Sequence, residues 1–287
     1  MRKIPIIMDC DPGHDDALAM LWALSEPEIK AVTIVAGNQT LEKTTRNALR
    51  VLTFAGVHNI PVAMGADHPL MRPSIFEEGV TEMVHGQSGL DGPAMPEPGF
   101  APEKMSALQL LIKTIEESEE KITLVPTGPL TNIAMAMRME PKITSKIREI
   151  VLMGGCYQLG NVTPAAEFNI YADADAASVV FHSGVPIVMV GLDVTRKVLC
   201  YPAIVDRMRA IDTKAAHLFA DLMAFFNKTQ KEVFGWEGGP LHDPVTCAYL
   251  IDPSVLTVKE MYTEIDNRSE QSYGRTNCDF FGLSDKK

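Results

Sequence analysis

Six short apolar runs alternate with longer helical patterns in this chain, and this alternation restricts the fold more than any other feature. The runs occupy residues 4–9, 29–37, 60–65, 122–128, 148–155 and 185–193. They are nearly continuous in apolar character, as expected for parallel strands covered by helices on both faces. The helical patterns between them occupy residues 16–24, 41–55, 106–117, 130–139 and 175–182. The sequence therefore predicts one α/β domain over residues 1–287, with a mainly parallel central sheet flanked by helices.

Several predicted strands end in polar or glycine-rich turns. The turns read DCDPGHDD, AGNQT, PTGPLTN, MGGCYQLGN and GLDVT. In open parallel sheets, ligands bind at the carboxyl ends of the strands. We therefore expect the functional site at this edge of the sheet.

Charge and cysteine content exclude several classes of protein. The chain has 26 Lys+Arg against 37 Asp+Glu, a net charge of −11, and no basic stretch, so it lacks the positive charge that drives nucleic-acid binding. The five cysteines are odd in number and contain no CxxC pair, which is typical of reduced intracellular thiols. No apolar run is long enough for a membrane span or a signal-peptide core. We expect a cytoplasmic protein that binds neither nucleic acid nor membrane.

Four aspartates lie within eight residues, between the first apolar run and the first helical pattern. Asp15 and Asp16 fall in the first turn of the predicted helix, where free N–H groups and the helix dipole favour carboxylates. Period-two alternation places Asp9 and Asp11 together on one side of the strand end. Helix capping explains the second pair and leaves the first pair unexplained.

Converging carboxylates indicate a metal site, because they repel one another unless a cation neutralises them. Carboxylate oxygens suit Ca²⁺ or Mg²⁺, and the sequence has no Cys/His cluster at zinc-ligand spacing. An EF-hand loop is excluded, because its fifth, sixth and twelfth positions would be Gly13, His14 and Met20. A haloacid-dehalogenase-like phosphatase fits poorly, because Pro12 and Gly13 follow the Asp-x-Asp pair.

Residues 9–16 reproduce in full the signature Asp-x-Asp-Pro-Gly-x-Asp-Asp. With this signature the chain resembles the inosine-uridine nucleoside hydrolase family. The resemblance continues through AGNQT, HGQSGLDGP, LVPTGPLTNIAMAMR, IVLMGG, GNVTPAAEFNIYADADAA and PLHDP, and covers essentially the whole chain. It implies a Rossmann-like nucleoside hydrolase fold. Members usually run somewhat further, so a terminal strand and helix are expected to be missing.

The resemblance also implies the chemistry. Members of this family cleave the N-glycosidic bond of ribonucleosides with water and use a bound Ca²⁺. By motif, the implied calcium ligands are Asp11, Asp16, the backbone carbonyl of Thr127, and Asp243. Asp11 would also be the general base that activates the water, and Asp9 would support the loop. The implied substrate-binding residues are Asp15, Asn38, Met153, Asn161, Glu167 and Asn169.

Some of these residues also have a purely structural interpretation. Asn38 and Asn161 are natural turn residues, and Asp243 before Pro244 resembles a helix cap. The pair Glu167 and Asn169 is predicted to lie on one side of an extended segment, where both side chains suit sugar hydroxyls.

Two histidines are candidates for protonating the leaving base. His242 adjoins Asp243, and His85 lies in a glycine-rich loop that could close over the substrate. The sequence leaves open which of them is the acid. The remaining histidines are interpreted as surface or structural: His14, His58, His68, His182 and His217.

Base specificity is expected to depend on the helix before GGPLHD. Gln230 resembles a glutamine of the pyrimidine-preferring subgroup, and this resemblance implies that uridine and cytidine are the favoured substrates. The implied role is nucleoside salvage. Phe226 and Phe234 are interpreted either as part of this pocket or as core residues of an amphipathic helix.

Other functions remain open at this point. They are a purine or broad-specificity nucleoside hydrolase, an Mg²⁺-dependent phosphohydrolase with Asp9 or Asp11 as nucleophile, and a non-catalytic nucleoside- or calcium-binding protein. The family resemblance also implies a homo-oligomer, either a dimer or a tetramer.

Overall fold

A six-stranded parallel sheet forms the centre of the computed structural model, which describes residues 3–74 and 82–286. The strand order is β3-β2-β1-β4-β5-β6. These strands are β1 (Pro5–Cys10), β2 (Glu28–Ile34), β3 (Val62–Met64), β4 (Ile122–Pro126), β5 (Ile147–Met153) and β6 (Ile187–Val190). Two short antiparallel pairs are also present: β7 (Leu199–Cys200) with β8 (Gly239–Pro240), and β9 (Thr263–Asp266) with β10 (Arg275–Cys278).

Helices cover both faces of the sheet. They are α1 (His14–Ala23), α2 (Leu41–Phe54), α3 (Glu82–His85), α4 (Ala107–Glu117), α5 (Thr131–Met139), α6 (Phe168–Ala172), α7 (Ala174–Phe181), α8 (Leu192–Thr195), α9 (Pro202–Arg209), α10 (Lys214–Phe234) and α11 (Pro244–Ile251). Among the described residues, none of these helices is long and apolar enough to cross a membrane.

The predicted fold class is confirmed. All six apolar runs form strands of the parallel sheet, and all five helical patterns form helices. Element ends differ by a few residues. The first helix starts at His14, two residues earlier than expected, because Gly13 serves as its N-cap and the Asp16 carboxylate accepts the Gly13 N–H at 3.0 Å.

The apolar runs are continuous because each strand contributes to two cores. Along β1, Ile6 and Met8 pack into the core that includes α1, α2, α10 and α11. Ile7 packs into the opposite core, with residues of α4, α5 and α7. All six residues of β1 are buried, so no position on this strand favours a solvated polar side chain.

The end of β1 lies at the point where the strand order reverses, since β2 is its neighbour on one side and β4 on the other. The loops after β1 and β4 therefore meet, and the Thr127 N–H donates to the Asp9 carbonyl at 2.9 Å. Such a reversal opens a crevice at the carboxyl edge of the sheet. The aspartate-rich loop lies in this crevice.

Hydrogen bonds accepted by the buried side chain of Asp9 stabilise this edge of the sheet. Its Oδ1 accepts hydrogen bonds from the Thr33 hydroxyl at 2.5 Å and from Nδ2 of Asn132 at 2.9 Å. Asn132 also donates to the Ile34 carbonyl at 3.0 Å and accepts the Ala66 N–H at 2.9 Å. One buried amide therefore joins α5 to β1, to β2 and to the loop after β3.

We predict that Asn132→Ala destabilises the protein by about 3 kcal/mol, because it leaves buried polar groups of three segments without their partner. The free energy of unfolding from urea titration measures this. Asn267→Ala is the control, since Asn267 is half-buried and its amide donates one hydrogen bond, to Asp175 at 2.9 Å. Its expected cost is below about 1 kcal/mol. Equal losses for the two variants would contradict the role of Asn132.

Candidate active site

Three buried carboxylates converge in the crevice. One oxygen each of Asp15, Asp16 and Asp243 lies within 4.8 Å of the others, in an arrangement that could hold a metal ion. Asp15 and Asp16 come from the first turn of α1, and Asp243 precedes α11. The fold thus brings together groups that are more than two hundred residues apart in sequence.

Helix capping does not account for this cluster. Asp243 occupies the N-cap position with Pro244 following, as the structural interpretation requires, but its side chain makes no capping hydrogen bond. Asp16 does cap α1, and in addition it accepts hydrogen bonds from the Thr127 hydroxyl at 2.7 Å and from Nδ2 of Asn38 at 3.2 Å. Helix capping therefore accounts for one of the hydrogen bonds of the Asp16 carboxylate and does not explain the position of the Asp243 carboxylate.

Asp11 lies beside the cluster with one unused oxygen. Its Oδ2 accepts the Asn38 N–H at 2.7 Å, whereas its Oδ1 is buried and has no hydrogen-bond partner among the described residues. A Cβ atom at Gly37 or Gly128 would overlap the Asp11 carboxylate, so both turns must be glycine. A buried carboxylate oxygen without a donor is costly unless a ligand or cation meets it.

Burial and mutual repulsion raise the pKa values of the whole group. Burial raises the pKa of Asp11 well above its usual range, with a further contribution from Asp16. Burial and then Asp15 raise the pKa of Asp243 in the same way. The pKa of Asp15 is raised to about 7 by burial and by Asp16, and burial raises that of Asp16. A divalent cation would offset this repulsion, so the donor set fits the metal that the sequence predicts.

Glu167 and Asn169 lie on the opposite side of this crevice, but the extended segment predicted for them is wrong. Glu167 is the N-cap of the short helix α6, and its carboxylate accepts the N–H of Asn169 at 2.9 Å and of Gly155 at 2.8 Å. Burial raises the pKa of Glu167 to about 7. The capping interaction turns the chain into a helix at this point, which apolar periodicity alone did not reveal.

Asn169 connects this segment to the acidic loop. Its Nδ2 donates to the Thr127 carbonyl at 2.7 Å and to the Met153 carbonyl at 3.1 Å. The Thr127 carbonyl, a predicted metal ligand, retains a second lone pair. Asn161 is exposed, and its side chain accepts the Phe168 N–H at 2.9 Å, so it contacts the start of α6 and none of the four aspartates.

Both candidate acids have defined partners, and His85 is buried whereas His242 is half-buried. Nδ1 of His242 lies 2.8 Å from the Thr195 hydroxyl, and burial lowers the pKa of His242 to about 4. His85 lies at the end of α3, with its Nδ1 3.2 Å from Nδ1 of His14, and burial lowers its pKa well below the usual range. Burial therefore favours the neutral form of both rings.

Sequence reasoning did not single out His14 or Thr195 as part of the site. His14 is fully buried, so of the two interpretations, surface or structural, the surface one is wrong. Its position next to Asp15 was an available signal, of the same kind as the adjacency of His242 to Asp243. Thr195 had no such signal, because its contact with His242 spans 47 residues.

The three candidate base-specificity residues of α10 differ in how far they are buried. Phe226 is buried and stacks on His85 at a centroid distance of 5.5 Å. Gln230 is also buried, and its side-chain amide makes no hydrogen bond with the described residues. Phe234 is 45% exposed, so its interpretation as a core residue is wrong.

Known proteins resemble this chain over nearly its whole length. The model of the family "Inosine-uridine preferring nucleoside hydrolase" matches residues 6–287. The pyrimidine-specific ribonucleoside hydrolases RihA of Escherichia coli O127:H6 and of Salmonella typhimurium are each 49% identical, over 99% of this chain and 91% of theirs.

Solved structures agree with this relationship. A purine-preferring ribonucleoside hydrolase from Gardnerella vaginalis has a TM-score of 0.91 and 34% identity, covering 98% of this chain and 90% of that one. The plant nucleoside hydrolase PpNRh1 has a TM-score of 0.91 and 31% identity, covering 100% and 90%. The resemblance inferred from the signature is confirmed, and with it the enzyme class, a ribonucleoside N-glycosyl hydrolase. The chain belongs to the inosine-uridine preferring nucleoside hydrolase family.

Proposed function

We propose that this protein hydrolyses the N-glycosidic bond of ribonucleosides to ribose and free base, and that the reaction depends on calcium. One observation carries the proposal: three buried carboxylates converge at the carboxyl edge of the sheet with buried Asp11 beside them, and among the described residues no basic side chain forms an ion pair with any of the four. A hydrolase of this class needs negative charge beside the sugar, a positioned water and a proton for the departing base.

Asp11, Asp16, Asp243 and the Thr127 carbonyl are the proposed calcium ligands. Asp15 shares its group of closely spaced oxygens with Asp16 and Asp243, so its proposed contact with the ribose would lie beside these two ligands. When bound, calcium would orient the two ribose hydroxyls and make the attacking water more acidic. The ion also lowers the electrostatic cost of keeping these carboxylates charged and buried.

Asp11 is the proposed general base. Its Oδ2 is held by the Asn38 N–H, which leaves the unpartnered Oδ1 as the atom that accepts the proton from water. A carboxylate whose pKa is raised by burial is a stronger base than one in solvent. The remaining negative charge of the cluster would stabilise the oxocarbenium-like sugar that forms as the base departs.

The proposed ribose contacts are Asp15, Asn38, Met153, Asn161, Glu167 and Asn169. Asn169 is the best defined, because its Nδ2 is held by two carbonyl groups and its Oδ1 accepts no hydrogen bond from the described residues. That oxygen is free to accept a hydroxyl proton of the sugar. Asn161 would have to reach the sugar from an exposed position on its loop.

His242 is the proposed proton donor to the leaving base, and because burial favours its neutral form it would have to take up a proton before it donates one. It adjoins the ligand Asp243 and is oriented through its Nδ1 by Thr195, which leaves Nε2 for the substrate. His85 is proposed to contact the base, since it stacks on Phe226 and lies next to the acidic loop at Gly13.

A preference for uridine and cytidine, for nucleoside salvage, completes the proposal. It is supported by the 49% identity to pyrimidine-specific relatives, against 34% to a purine-preferring one. The amide of Gln230, a buried residue, makes no hydrogen bond with the described residues and so supplies a donor and an acceptor for a base edge. We further propose one domain over residues 1–287, because both cores share a single sheet, and a homo-oligomer in the cytoplasm remains a prediction.

A phosphohydrolase mechanism through Asp9 is disfavoured. Oδ1 of Asp9 accepts two hydrogen bonds, and the side chain is fully buried below the crevice. A phosphoryl-transfer site also requires cationic groups around the phosphate, and among the described residues no basic side chain pairs with the acidic cluster.

The proposed function predicts that the purified protein releases ribose from uridine and cytidine. The kcat/KM for each should be at least tenfold higher than the kcat/KM for inosine. A reducing-sugar assay with and without a calcium chelator measures this, with phosphate release from uridine monophosphate as a control. Chelator should abolish turnover, and added calcium should restore it. Ribose release that survives chelation contradicts calcium dependence, and faster turnover of inosine contradicts the pyrimidine preference.

Asp11→Asn is expected to lower kcat for uridine by at least about a thousandfold, because an amide oxygen cannot accept the proton from water. The free energy of unfolding should change little or increase, since a repelling buried charge is removed. The matched control is Asp9→Asn, an isosteric change in the same loop. Its amide oxygen still accepts from Thr33 and Asn132, so activity should remain within a few-fold. An active Asp11→Asn enzyme would remove Asp11 from the mechanism.

A further inference from the structure

A layer of stacked rings lies beside the acidic cluster with His14 at its centre, and all of them are buried except the half-buried Phe225. The His14 ring stacks on Phe225 and Phe226, at centroid distances of 5.2 and 5.6 Å, and on His85 at 5.4 Å. His14 is fully buried. None of the roles proposed above uses this histidine.

The hydrogen bonds of His14 have a defined direction. Its Nε2 lies 2.8 Å from the Asp91 carbonyl oxygen. A carbonyl can only accept, so Nε2 of His14 carries the proton. The carbonyl is held in place, because the Asp91 carboxylate accepts the N–H groups of Gln87 at 2.9 Å and Ser88 at 3.1 Å. This loop therefore determines which nitrogen of His14 is protonated.

The second nitrogen of His14 is then an acceptor. The ring is enclosed by aromatic side chains, and no carboxylate is hydrogen-bonded to it in the described part of the chain, which favours the neutral form. A neutral imidazole that is protonated on Nε2 can only accept at Nδ1.

His85 must supply the proton for this contact. Its Nδ1 lies 3.2 Å from Nδ1 of His14, so His85 donates from Nδ1 and its Nε2 is unprotonated. The competing contact, from the backbone N–H of His14 to the same nitrogen, is longer at 3.4 Å. The edge of the ring that carries Nδ1 packs against Gly13, where an added Cβ would lie 2.7 Å from it. Within the described residues, Nε2 of His85 has no hydrogen-bond partner.

We infer that His14 is a positioning residue that acts through His85 and leaves Nε2 of His85 as a hydrogen-bond acceptor for the nucleoside base. The inference rests on the proposed function, because it assumes a nucleoside in the crevice. An acceptor at this point is complementary to a base N–H, such as N3–H of uracil or the amino group of cytosine. His85 would then recognise the base, and donation of a proton to it would remain with His242.

The tautomer can be observed directly. Long-range ¹H–¹⁵N spectra of protein labelled at histidine should show His85 protonated at Nδ1 and bare at Nε2, with the signal assigned by its loss in His85→Asn. In His14→Phe the same signal should shift toward the Nε2-protonated form. In the Asp11→Asn protein, uridine should shift the Nε2 resonance of His85, and ribose alone should not. A wild-type His85 that is protonated at Nε2, or the same response to uridine and ribose, overturns the inference.

Kinetics provide the second readout. His14→Phe should lower kcat/KM for uridine roughly tenfold, the size expected from one well-placed hydrogen bond. His14→Asn, which keeps an acceptor near the position of Nδ1, should recover most of this loss. In a His85→Ala background, His14→Phe should cost less than about twofold further, because its effect passes through His85. A full additional tenfold loss overturns the inference. If wild-type protein releases no ribose, the proposed function fails, while the spectra still decide the tautomer of His85.

Discussion

Mutual repulsion among four buried carboxylates is the constraint on which the rest of this structure depends. Asp11, Asp15, Asp16 and Asp243 are all buried, and each has a raised pKa. A chain does not keep such a group at random, because burial of unpaired charge is costly. The arrangement is consistent with a site whose stability is completed by a bound cation.

The surrounding fold holds these groups in place from three directions. The loop after β1 is bonded to the loop after β4 through Thr127. Asn132 of α5 joins β1 to β2 and to the loop after β3. Glycines at 37 and 128 allow the backbone to approach Asp11 closely. On the far side, His14 in the first turn of α1 stacks on Phe225 and Phe226 of α10, which packs α10 against the start of α1. Rigid support of this kind keeps catalytic groups in place without reorganisation during the reaction.

Much of the architecture could be predicted from the sequence, because buried parallel strands leave nearly continuous apolar runs and because helix starts have local signals. The acidic loop was recognisable because all its residues are contiguous in sequence. The contacts of His14 and Thr195 were not predictable in this way, because their partners lie far away in sequence. The cap that Glu167 forms on α6 is local, but apolar periodicity carries no information about it. Asp15 is a comparable case: the motif assigned it to the ribose, whereas the geometry also places it among the closely spaced oxygens of the cluster. The exposure of Phe234 depends on where α10 ends, which apolar periodicity does not determine.

Calorimetric titration of the metal-free protein with calcium near pH 7, in two buffers of different ionisation enthalpy, tests the central claim most directly. The account predicts saturable binding at a single site, with release of protons, because carboxylates with raised pKa values hold protons that the ion displaces. Asp243→Asn should weaken this binding strongly, since it removes one charged ligand. Absence of calcium binding, or binding that releases no protons and is unaffected by Asp243→Asn, would contradict the account.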